Sequence, residues 1–118
     1  MSIILKADRP NRETTEQFDM FFPILESVYS EIKELSKKKQ DGALNEMKVK
    51  LTNRVLSKVK TILKDDPTLE FLDLLDEVSL PTNSDAVLII AQFKGAMKQF
   101  KNRHFDTTTI DEDWMTSD

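Results

Sequence analysis

Residues 44–64 read LNEMKVKLTNRVLSKVKTILK, and the spacing of their apolar positions decides the fold class. Leu44, Met47, Leu51, Val55, Val59 and Ile62 recur at steps of three or four. At 100° per residue they share one helix side roughly 120° wide. Val49, Leu56 and Leu63 widen that arc on one flank, and an arc of such breadth predicts two packing partners. Lys50, Asn53, Arg54, Ser57, Lys60, Thr61 and Lys64 occupy the opposite arc with no acid among them. They predict a cationic ridge facing solvent.

The neighbouring segments carry the same period. Upstream, Thr14 and Gln17 have the spacing of a capping box, and Phe18, Phe22, Leu25, Tyr29, Ile32 and Leu35 follow at helical steps. A first helix is expected from Thr14 to about Lys39, with Pro23 as a kink or a restart. Asp41-Gly42 punctuates its end. Downstream, Asp66-Pro67 places an N-cap before proline, and Leu69, Leu72, Leu75 and Val78 predict a short acidic helix. Leu80-Pro81 stops it. Thr82 to Asp85 then opens a long helix over residues 84–103, with Ala86, Ile90, Phe93, Met97 and Phe100 as its seam.

Composition sets the limits. The chain has 118 residues, one domain's worth, with 39% apolar and 32% charged residues. Two glycines and four prolines are too few for the tight turns of an all-β fold. The expectation is an all-α antiparallel helical bundle of three long helices and one short one. An extended arm at 1–13 precedes the bundle at 14–104, and a flexible acidic tail follows at 105–118. Its core is expected from Phe18, Phe22, Leu25, Ile32, Leu44, Leu51, Val55, Val59, Ile62, Leu72, Leu75, Ile90, Phe93, Met97 and Phe100. No segment approaches the roughly 20 apolar residues of a membrane span, and no signal-peptide pattern opens the chain. Without cysteine, thiolate chemistry and disulfides are excluded. The chain reads as cytoplasmic and unprocessed.

Charge is ordered in blocks. Residues 37–64 hold nine basic side chains against two acids, residues 65–85 hold seven acids and no base, and residues 86–104 hold four bases and no acid. The formal net charge of −4 hides this polarity. Lys50, Arg54, Lys60 and Lys64, with Lys37, Lys38 and Lys39 nearby, form a candidate phosphate-binding ridge. Ala91 and Gly95, four apart on one helix face, form a candidate helix-association surface. Ile110, Trp114 and Met115, set among acids, have the makings of a short docking motif.

Catalysis has little support. His104 is the only histidine and suits the dipole at a helix C-terminus, so it receives no catalytic role. Asp73, Asp76 and Glu77, and likewise Asp111, Glu112 and Asp113, read as solvated acids and not metal ligands. No metal, cofactor or small-molecule substrate is expected. The resulting expectation is a non-enzymatic interaction or regulatory protein that binds another protein and self-associates. Nucleic acid, held by its phosphates on the basic ridge, is the alternative partner.

Overall fold

The computed structural model describes residues 9–106 and 113–118. Three helices carry the fold: α1 (Arg12–Lys38), α2 (Glu46–Ile62) and α3 (Asn83–His104). The two-residue strands β1 (Phe105–Asp106) and β2 (Asp113–Trp114) pair antiparallel after α3. No helix among the described residues is long and apolar enough to cross a membrane.

Each helix starts on a side-chain cap. Asn11 accepts from the Thr14 N–H at 2.8 Å, so the cap lies three residues before Thr14, the expected one, and α1 takes Arg12 and Glu13 from the supposed arm. The arm's Ile3, Ile4 and Leu5 lie outside the described residues. α1 runs through Pro23, which sits on its exposed side. Asn45 caps α2 through the Lys48 N–H at 2.8 Å. Thr82 caps α3 through the Asp85 N–H at 3.1 Å, as the sequence predicts. The loop between α1 and α2 is stitched to the start of α3: the Leu44 N–H donates to the Pro81 carbonyl, and the Asn83 side chain donates to the Lys39 carbonyl.

One core lies between the helices. α1 contributes Phe18, Leu25 and Ile32, and α3 contributes Ala86, Ile90, Phe93, Ala96, Met97 and Phe100. The expected α3 seam is buried in full. α2 is different: its buried positions are Val49, Thr52, Asn53, Leu56, Val59 and Ile62. The helix is therefore turned by roughly 100° from the face its spacing suggested. Leu51 is 51% exposed, and Val55 and Phe22 are only half-buried, so these three leave the expected core.

The expected short third helix is only a 3₁₀ turn, Pro67–Phe71. Asp66 caps it, accepting from the Thr68 N–H at 3.0 Å, but the chain then continues as an irregular strap to Leu80. Asn53, expected on the solvent arc, is the reason. Its side chain is buried, donates to the Leu75 carbonyl at 2.9 Å and accepts from the Leu75 N–H at 2.9 Å. Those two bonds give Leu75 from outside what a helix would give it from within. With Leu72 and Leu75 buried beneath it, the strap gains more from this tertiary contact than from local helix propensity.

Residues 113–118 are also placed differently from the free tail expected. The Trp114 ring meets Phe18 edge-on at 4.8 Å and Phe105 at 5.5 Å, and its indole N–H donates to the Asp19 carboxylate at 3.2 Å. The Met115 N–H donates to the His104 carbonyl, and the Ser117 N–H to the Pro10 carbonyl at 2.9 Å. Asp118 Oδ1 accepts from the Arg12 N–H at the start of α1, where a carboxylate suits the helix dipole.

Candidate binding groove

The turn of α2 leaves a second apolar stripe without cover. Met47, Leu51 and Val55 recur at steps of four on α2 and face Phe21, Ile24 and Val28 of α1 across a groove of about 550 Å³. Ile32 and Thr52 line its buried floor. Met47 is 72% exposed, Leu51 51% and Ile24 41%, so three large side chains stand in water along one channel. Scattered exposed hydrophobics are ordinary, whereas contiguous ones mark a contact surface. Lys48, Arg54 and Lys58 edge the groove from α2, opposed by Glu31 of α1. None of these four makes an ion pair among the described residues.

The sequence-derived site residues fall in several places. Lys50 is tied to Glu46 at 2.9 Å, a hydrogen bond that raises its pKa and holds the ammonium charged. Arg54 borders the groove, whereas Lys60 projects about 120° further around α2 and Lys64 lies beyond the helix end. Lys50, Arg54 and Lys60 thus share one arc of about 120° around α2, and Lys64 follows its end. Ala91 is half-buried and Gly95 is exposed, and a methyl group built on Gly95 would meet nothing within 4 Å. Trp114 is packed on its own chain, Met115 is half-buried, and Ile110, Asp111 and Glu112 lie outside the described residues. Of the acids expected to be solvated, Asp76 is engaged by its own backbone. It accepts from the Ser79 and Val78 N–H groups at 2.8 Å, and those bonds lower its pKa.

A polar cavity of about 400 Å³ lies at the far end, lined by Arg9, Lys64, Asp65, Asp66 and His104 among others. His104 is buried there, stacked edge-on against Phe100 at 4.9 Å. Burial lowers its pKa and Arg103 adds to this; Asp66 pulls the other way, and Arg9 contributes the smallest lowering. Arg103 itself pairs with Asp66.

Sequence reasoning missed Phe21, Ile24 and Val28. The signal was present: they repeat at three and four residues beside the stronger Phe18–Leu25–Ile32 stripe. No protein-family model, curated protein or solved structure matches this chain.

Proposed function

We propose that this protein is a non-catalytic interaction module that receives a segment of another polypeptide in the α1–α2 groove. The groove itself carries the reading. It combines exposed apolar side chains from two helices with three cations and one acid at its edges. Such a channel suits an amphipathic segment whose apolar side chains enter while its acids meet Lys48, Arg54 and Lys58. A cytoplasmic setting belongs to the same reading, since a chain without cysteine suits a reducing compartment.

A synthetic amphipathic helix with Leu anchors and Glu flanks tests the proposal. Titrated into labelled protein, it is expected to shift the NMR signals of Ile24, Met47, Leu51 and Val55, with loss of binding in Leu51→Asp. Equal binding by a Lys-flanked version, or no shift at about 1 mM peptide, overturns it.

The phosphate-backbone reading keeps one observation in its favour: Arg54, Lys60 and Lys64 make no ion pair among the described residues. Salt-sensitive retention on a nucleic-acid column, abolished by reversing Lys50, Arg54, Lys60 and Lys64 to Glu, is the outcome that would favour it.

A further inference from the structure

We infer that the groove's occupant is the acidic strap of a second copy of this chain, so that copies join head to tail; this rests on reading the groove as a docking surface. The strap shows a partner's chemistry. Phe71 is 65% exposed, Leu74 39% and Val78 93%, and they stand among the exposed acids Glu70, Asp73, Asp76 and Glu77. Residues 65–85 contain no base. The groove is the complement: apolar within, with three cations to one acid along its edges. Within the chain the acids of the strap are met only in part: Glu77 accepts from the Asn53 side chain at 3.2 Å and lies within the field of Lys50, and Asp76 accepts from backbone N–H groups. Among the described residues, only Asp66 of the block 65–85 forms an ion pair, with Arg103.

Geometry sends the match to another molecule. The strap is pinned to α2 by Asn53, whereas Leu51 and Val55 of the groove each lie two residues from Asn53 and so project about 160° away around the helix axis. One chain cannot place its own strap in its own groove. Lengths agree for the last two anchors: Met47 to Val55 spans about 12 Å of helix, and Leu74 to Val78 spans at most about 13 Å of chain, with Phe71 reaching past the end of the groove. Because the two surfaces are different patches on one molecule, the contact is heterologous, and a bound pair still offers a free strap at one end and a free groove at the other.

Two variants that each disable one half test this directly. Leu51→Asp spoils the groove and keeps the strap, while Phe71→Ser combined with Val78→Ser spoils the strap and keeps the groove. All three positions are exposed, so folding should be retained, as circular dichroism would verify. By light scattering, the wild-type mass is expected to rise with concentration above 13.6 kDa and to fall back with salt. Each variant alone is expected to remain at the single-chain mass. Mixed, they should form a 1:1 complex that grows no further, with affinity within about threefold of the wild-type contact.

A wild type that stays monomeric at about 1 mM, variants that still self-associate, or a mixture that forms no complex each overturns the inference. The acidic-helix titration separates the two readings. If that peptide binds the groove while the wild type stays monomeric, the second-copy assignment falls and the docking surface stands. If neither associates, both fall.

Discussion

The two apolar sides of α2 have nearly the same chemistry and opposite fates. Val49, Leu56 and Val59 are fully buried, whereas Met47 and Leu51, drawn from the same helix, are more than half exposed. The difference lies in their neighbours: α1, α3 and the strap cover one side, and the other opens onto the groove. Hydrophobicity nominates a residue for burial, and only a partner completes it. Truncation should expose the contrast. Leu56→Ala is expected to cost about 2–5 kcal/mol in urea unfolding, through lost contacts and a residual cavity. Leu51→Ala should change stability by less than about 1 kcal/mol, because its side chain is half solvated before truncation. Equal losses would mean that the groove side is packed within the monomer.

A second pair sharpens the same comparison among polar residues. Asn53 and Arg54 are consecutive, yet Asn53 holds both backbone groups of Leu75 and Arg54 borders the groove. Asn53→Ala leaves a buried N–H and carbonyl unpaired, at about 1–3 kcal/mol. Hydrogen exchange at the Leu75 amide should accelerate as the strap loosens. Arg54→Ala should stay within about 0.5 kcal/mol in stability and act on groove binding alone.

These pairs also explain how far the sequence could be read. The α3 seam was legible although residues 86–91 are apolar all round the helix, because Phe93, Met97 and Phe100 further along keep the phase of Ala86 and Ile90, and all five are buried. α2 was legible as a helix but not in its rotation. Its apolar arc offers two centres of nearly equal weight, and the side that is chosen carries Thr52 and Asn53, which a hydrophobic pattern counts against burial. Residues 67–80 misled for a related reason. Leu69, Leu72 and Leu75 fit a helix locally, while the bonds that hold the strap come from Asn53, 22 residues earlier than Leu75. The groove was foreshadowed only as surplus apolar width, since its α1 half, Phe21, Ile24 and Val28, was hidden beside a stronger stripe.

The polar cavity sets a buried titratable group against the open groove and predicts a pH response confined to stability. His104 has its pKa lowered below 6.5 by burial and by Arg103 and Arg9, with Asp66 opposing. Below that value the unfolded chain binds more protons than the folded one, so folding weakens as pH falls through the window beneath about 6.5. One such group contributes a slope of at most about 1.4 kcal/mol per pH unit. Urea midpoints at pH 7.5 and 5.0 should differ, and His104→Gln should flatten the difference. Leu51→Asp should leave it intact, because the groove and the cavity share no lining residue.

The smallest effect probes α3, where Gly95 offers a second uncovered position. Its surroundings are empty: an added methyl group would meet nothing within 4 Å, whereas at Gly42 it would come within 2.9 Å of the Lys39 side chain. Gly95→Ala therefore changes helix propensity without changing packing, and should stabilise the protein by about 0.5–1 kcal/mol in thermal unfolding. Self-association should be unaffected if copies meet through groove and strap. Weaker association of Gly95→Ala, with the stability gain retained, would instead move the contact between copies to the Ala91/Gly95 side of α3, because a methyl group that disturbs nothing inside one chain can only disturb a neighbour.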